Sequence, residues 1–297
     1  MKRIIFLVIL ASIISFSGRS QYKKVAVDGG ELNYIDQGSG EAIIFLHGGM
    51  EDYRTWQPQI DTFSKHFRVI AYSRRYSWPN KNNKDVKDYS PATETNDLLK
   101  LISSLHLKQV HLVGHSYGAL IALFTAIHHP ELVKSLTLSE PPIVNWLPGL
   151  AGGKQRHDEL FTNLWKPVKQ AFQINDTGAV LRHTLIFFAG SDVTNDLPDE
   201  VIGTLKSNMG DWKAISYSHD AFLTFEKQLV QKLRMPTFIV TAGKTIPLLK
   251  LTNAELITLL PEAEKFHIEE AGHDLWFTHA KQSGDALLMF LLSTESK

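Results

Sequence analysis

Two kinds of hydrophobic pattern alternate along this chain. Short runs that are apolar at nearly every position stand at residues 42–46, 67–72, 110–113, 136–138 and 238–240. Such runs, bounded by turn residues, read as strands buried on both faces, the texture of a parallel sheet. Between them lie longer stretches with apolar residues on one helical face. Trp56, Ile60, Phe63 and Phe67 keep helical spacing, as do Leu98, Leu101, Ile102 and Leu105 within 97–107. Residues 119–128 are apolar nearly all round, which predicts a helix in the interior, and Pro130 stops it. Further helices are expected at 248–260 and around 286–292, with a last strand at 265–268. Near the start, 24–27 and 32–35 read as two short strands around Asp28-Gly29-Gly30, a hairpin turn signal. Residues 73–88 are polar, rich in Lys and Asn, and read as a loop.

The alternation breaks between 143 and 232. That block has helical patches and several aromatics but no convincing buried strand. Phe161, Leu164, Trp165, Val168 and Phe172 fall on one helical stripe. Strands alternating with helices argue for an α/β domain on a mostly parallel sheet. The block then reads as a helical insertion at 143–232, dividing a core made of 21–142 and 233–297.

Composition changes this picture mainly at the N-terminus. The 297 residues suffice for one large domain with an insertion. Acidic and basic residues number 31 each. That balance gives no electrostatic grip on nucleic acid or on an anionic membrane, and a small-molecule substrate is the expected partner. The absence of cysteine removes disulfides, thiolate metal sites and a cysteine nucleophile. Residues 1–20 combine a basic start, an apolar run at 4–16 and a small polar end, the three-part pattern of a cleavable signal peptide. The run is short of the ~20 residues that span a bilayer. The mature protein is therefore expected to be exported, periplasmic or secreted, with no stable membrane span.

The sharpest chemical signal is Gly114-His115-Ser116-Tyr117-Gly118 between a strand and a helix, the G-x-S-x-G pattern of a nucleophile elbow. Three fixed positions match by chance about once in three thousand windows. The partners of Ser116 must decide its role. A serine hydroxyl needs a base, the base needs an acid to hold its tautomer, and an oxyanion needs N–H donors. Strand ends in an open parallel sheet share one edge, so residues that follow strands can converge. Of 13 histidines, His273 stands in a loop after the last strand and is the expected base. The loop after 238–240, Thr241 to Pro247, contains no Asp or Glu. The orienting carboxylate is therefore expected at Glu140, which follows 136–139. Glu269, Glu270 and Asp274 are sequence neighbours of His273, and neighbours on an extended loop point apart. The expected oxyanion donors are the backbone N–H groups of Tyr117 and Gly49, with Met50 as the next choice. Gly49 lies in the turn His47-Gly48-Gly49-Met50 after 42–46. No metal-ligand spacing, phosphate loop or dinucleotide fingerprint occurs, and no cofactor is expected.

With these residues in view, the chain from about Val25 onward resembles the α/β-hydrolase family. The marks are His47-Gly48-Gly49, Gly114-His115-Ser116-Tyr117-Gly118 and Ala271-Gly272-His273. Tyr72-Ser73-Arg74-Arg75 with Trp78-Pro79-Asn80 looks like the post-strand loop of capped bacterial members. The resemblance implies an α/β-hydrolase fold, a mostly parallel central sheet flanked by helices. The insertion is similar to the family's helical cap. The family order of nucleophile, acid and base maps to Ser116, Glu140 and His273. The acid would then follow the sixth strand, as in a branch of the haloalkane dehalogenases. Dehalogenases and epoxide hydrolases of this fold carry Asp at the nucleophile position. Serine there implies esters, lactones, thioesters, amides or, in one branch, carbon–carbon bonds. The expected function is a serine hydrolase of carboxylesterase type. It would act on small, mostly apolar esters through an acyl-enzyme. The alternatives are a C–C bond hydrolase or cofactor-free haloperoxidase-like activity, and a non-catalytic ligand-binding protein on the same fold, which a defective acid would favour.

Overall fold

A computed structural model of the chain describes residues 22–82 and 89–295. The expected signal peptide at 1–20 lies outside the described residues. The apolar runs form eight strands: β1 (Lys23–Val27), β2 (Gly30–Gln37), β3 (Ala42–Leu46), β4 (Arg68–Tyr72), β5 (Val110–His115), β6 (Val133–Ser139), β7 (Thr237–Ala242) and β8 (Glu264–Ile268). They build one sheet in the order β1-β2-β4-β3-β5-β6-β7-β8. The β1–β2 hairpin and the β2–β4 pair are antiparallel, and the other pairs are parallel. The expected fold class is therefore the observed one.

Helices cover both faces. In the first half they are α1 (Gln57–Phe63), α2 (Pro91–Ser104) and α3 (Tyr117–His128). Between β6 and β7 the described chain is helical where it is regular, with α4 (Gly153–Glu159), α5 (Lys166–Gln173), α6 (Thr177–Ala189), α7 (Asp199–Ser207), α8 (Met209–Tyr217) and α9 (Lys227–Val230). After β7 come α10 (Pro247–Leu259), α11 (Leu275–Thr278) and α12 (Ala280–Glu295). The two-residue period of a strand divides the core. In β3, Ile43 and Phe45 pack with Phe63 of α1 and Leu287 of α12, while Ile44 and Leu46 join α2, α3 and α10 on the other side.

The winding of the sheet positions the site. The chain steps from β3 outward to β4, then crosses back to β5 on the opposite side of β3. A crevice opens at the carboxyl ends of the strands where the direction reverses. The turn after β3 and the turn after β5 both lie there.

Several local expectations are modified. Helix α2 starts at Pro91, ahead of the expected 97. Ser90 caps it by accepting the Thr93 N–H, and proline is preorganised for the first helical position. On the insertion stripe, Leu164, Trp165, Val168 and Phe172 are buried but Phe161 is exposed. A π-helical turn at Leu160–Trp165 rotates the register and sends Phe161 outward. Among the described residues no helix is long and apolar enough to cross a membrane.

Candidate active site

The elbow is forced by steric contact. Ser116 joins β5 to α3 at φ +52°, a left-handed conformation that is rare for a residue with a side chain. A Cβ on Gly114 would stand 2.5 Å from Ala119 Cα, and one on Gly118 would stand 2.2 Å from Leu46 O. Only glycines let the helix start so close to the sheet. The Ser116 side chain makes no capping bond, so its hydroxyl projects from the turn.

That hydroxyl belongs to a hydrogen-bonded chain. Ser116 Oγ is 2.9 Å from His273 Nε2, and His273 Nδ1 is 2.9 Å from Glu140 Oε2. Glu140 is wholly buried, directly after β6, and also at positive φ. An ionised carboxylate only accepts, so Nδ1 donates to it and Nε2 is left to accept the serine proton. The other positions around the carboxylate are filled too. Oε1 accepts from Ala242 N–H and Asn253 Nδ2, each at 3.1 Å, and Oε2 accepts the Thr245 hydroxyl. The loop after β7, which lacks an acid, thus supplies donors to a carboxylate from β6. The His273 ring is held between His115, with centroids 4.8 Å apart, and Phe188 of α6, stacked at 5.6 Å.

The turn after β3 lies against the nucleophile. Tyr117 N–H begins α3, where the first amides have no partner within the helix and the helix dipole favours negative charge. Of the two candidates after β3, Met50 N–H is taken by Asp211 Oδ2 at 3.1 Å. Gly49 N–H meets no acceptor among the described residues. Trp212 of α8 covers Gly49 so closely that a Cβ there would come within 2.7 Å of its ring.

A buried charge cluster that sequence reasoning missed holds this turn. Arg74 lies in the polar loop expected after β4, yet it is fully buried. Its guanidinium donates to His47 O at 3.1 Å, Gly48 O at 2.9 Å and Asp211 Oδ2 at 2.8 Å, and also to Tyr89 OH. Tyr89 OH in turn donates to Glu94 Oε1. Burial pushes the Glu94 carboxyl above its usual range against the pull of Arg74. Burial, with Arg74 beside it, pushes His47 down to about 3. The neutral His47 ring accepts the Arg74 N–H at 2.9 Å and donates to Gly48 O at 2.8 Å. No motif could have found this cluster, because its members come from distant segments.

A second missed pair is Glu51 and His115. Glu51 Oε2 accepts from Gly48 N–H at 2.9 Å and Thr55 Oγ1 at 3.1 Å, while Oε1 lies 3.5 Å from His115 Nδ1. His115 Nε2 is 2.8 Å from the His273 carbonyl oxygen. Above these groups, a cavity of about 190 Å³ separates the sheet edge from the insertion. Gly49, Glu51, Ser116, Tyr117 and His273 form its floor, and aliphatic and aromatic side chains of the insertion, such as Leu164, Trp165 and Phe188, form its roof.

Comparison with known proteins agrees with this fold. A family model described as alpha/beta hydrolase fold matches residues 41–280. RutD of Yersinia enterocolitica, provisionally named a carbamate hydrolase, is 25% identical over 244 residues, covering 80% of this chain and 83% of that protein. Mouse epoxide hydrolase 3 is 31% identical over 120 residues, 40% of this chain and 33% of that protein. The crystal structure of the enol-lactonase from Burkholderia xenovorans superposes with a TM-score of 0.72 at 18% identity, over 91% of this chain and all of that one.

Proposed function

The chain is a hydrolase that belongs to the alpha/beta-hydrolase family, and from that premise we propose that it is a serine hydrolase of small, mostly apolar esters. Ser116 is the nucleophile, His273 the base and Glu140 the orienting carboxylate. The Gly49 and Tyr117 N–H groups receive the oxyanion. The observation that carries the reading is the unbroken chain from Ser116 Oγ through His273 to a Glu140 carboxylate with every acceptor position filled.

In this mechanism His273 Nε2 takes the Ser116 proton as Oγ attacks the carbonyl carbon. The carbonyl oxygen becomes an anion between the two amides, which stabilises the tetrahedral state. The protonated imidazole, held by Glu140, gives its proton to the leaving alcohol, and an acyl-enzyme remains. Water then repeats the sequence and frees the acid. Ligand pockets begin at roughly 300 Å³, so a cavity of about 190 Å³ favours short acyl groups.

The relatives widen the substrate range. Carbamates and lactones carry a carbonyl that the same steps would open. Epoxide hydrolases of this fold carry Asp where this chain has Ser116, so the mouse relative supports the fold more than the reaction. An intact Glu140 shell weighs against a protein that only binds ligand. Residues 1–20 support an exported enzyme, and N-terminal sequencing of the mature protein tests that part.

The test of the reaction is labelling with a fluorophosphonate, followed by peptide mapping. The expected product is a single adduct on Ser116 that forms together with loss of p-nitrophenyl acetate hydrolysis. An adduct elsewhere, or none, would overturn the assignment.

A further inference from the structure

Among the described residues lining the cavity, Glu51 is the one formally charged side chain. The ester mechanism gives it no role. Its side chain is 17% exposed and lines the cavity. The two oxygens differ. Oε2 is filled by Gly48 N–H and the Thr55 hydroxyl. Oε1 accepts no hydrogen bond among the described residues. The nearest cationic group, His115 Nδ1, stays at an ion-pair distance of 3.5 Å, and that nitrogen itself has no hydrogen-bond partner. Burial alone would raise the Glu51 carboxyl. The His115 ring beside it, together with the Gly48 N–H, outweighs it and holds the group down to about 2, so the oxygen carries charge at neutral pH.

A charged oxygen with a lone pair facing an enclosed wall accepts a donor from the cavity beyond its long contact to His115. The lining side chains supply no cation to it. Among the described lining residues there is no Lys or Arg, Thr184 donates to Val180 O, and Tyr117 OH donates to Ala221 O. The position is also close to the reacting centre. Ser116 Cβ and Glu51 Oε1 lie 3.1 Å and 3.3 Å from the point where a Gly48 Cβ would stand.

We propose that Glu51 Oε1 is a recognition site for a nitrogen donor on the substrate, an amide, carbamate or ammonium N–H close to the bond that is cleaved, and that the cavity rejects substrates with a carboxylate there. This deepens the serine-hydrolase reading, on which it rests for taking the cavity as the substrate site. The selection is a matter of sign and lone pairs. An N–H completes the shell of Oε1, whereas a carboxylate would face a second acceptor of like charge at short range in an apolar enclosure.

The test uses Ser116→Ala protein, so that binding is read without turnover, and three ligands of one length: hexanamide, hexanoate and hexylammonium. Titration calorimetry is expected to give Kd values about tenfold or more lower for hexanamide and hexylammonium than for hexanoate, as fits a hydrogen bond to a charged group. In the Ser116→Ala/Glu51→Gln protein the glutamine still accepts from Gly48 N–H, and the ratio is expected to fall below about threefold. Hexanoate binding as tightly as its isostere hexanamide in the Ser116→Ala protein would overturn the proposal whatever the double variant does. Fluorophosphonate labelling of the wild-type protein separates the two readings. Label on Ser116 without a donor preference sinks the Glu51 site alone. A donor preference without label sinks the reaction and leaves the site.

Discussion

Two buried carboxylate clusters flank Ser116, and they are anchored to different parts of the chain. Glu140 is held entirely by the core: Ala242 ends β7, Thr245 follows it, Asn253 lies on α10 and His273 follows β8. The cluster around Arg74 bridges core and insertion, because Asp211 of α8 reaches both the guanidinium and the Met50 amide. The comparison separates two tasks. The carboxylate that fixes the tautomer of the base is held by the core alone, whereas the turn that offers Gly49 N–H depends on the insertion being seated. One arm sets proton transfer, and the other ties oxyanion geometry to the roof of the cavity.

The largest expected effect breaks the first arm. Glu140→Gln keeps the shape, and the Thr245 hydroxyl can turn to accept from the new amide. The amide nitrogen then faces His273 and selects the wrong tautomer. Turnover of a short-chain p-nitrophenyl ester should fall about ten-thousandfold, with little change in Tm. Breaking the second arm should do the reverse. Asp211→Ala leaves Arg74 buried with its closest carboxylate removed, and chemical denaturation should show a loss of about 3–5 kcal/mol. Turnover should fall less than in Glu140→Gln. Equal losses of stability in the two variants would erase the distinction between the arms.

The smallest effect sharpens the second arm. The folded chain keeps the Glu94 proton above the ordinary value of 4.5, up to about 7. Between those values the folded state binds more protons than the unfolded one, so this group's contribution to stability declines as pH rises through the window. Glu94→Gln should remove that decline, seen as a wild-type-minus-variant stability difference that falls from pH 4.5 to 7 and is flat above. A difference that does not vary with pH would mean that Glu94 is ionised throughout.

How much was legible in the sequence follows the same division. Ser116 and Glu140 each stand just past an apolar run that reads as a buried strand, and His273 stands in the loop after the more exposed last strand, so the shared strand edge brings them together. The missing acid after β7 was itself informative, since it directed attention to β6. Arg74, Glu94 and Asp211 were hidden, because a charged residue in a polar stretch has the same letters whether solvent or another chain segment receives it. Their partners lie up to 161 residues away, as between Asp211 and the Met50 amide. Glu51 and His115 were hidden for the same reason. The π-helical turn was illegible for a different one: a stripe of apolar residues over so short a span does not reveal whether each amide bonds four or five positions back.

The donors around Glu140 also bear on how such a site can change over time. Thr245 and the Ala242 amide already touch the carboxylate that orients His273. The ends of two neighbouring strands therefore meet at the same carboxylate on one sheet edge. A lineage can pass the acid from one strand to the next by exchanging single side chains while the histidine and serine stay in place. What the chemistry requires is a carboxylate at His273 Nδ1, whichever of the two strands supplies it.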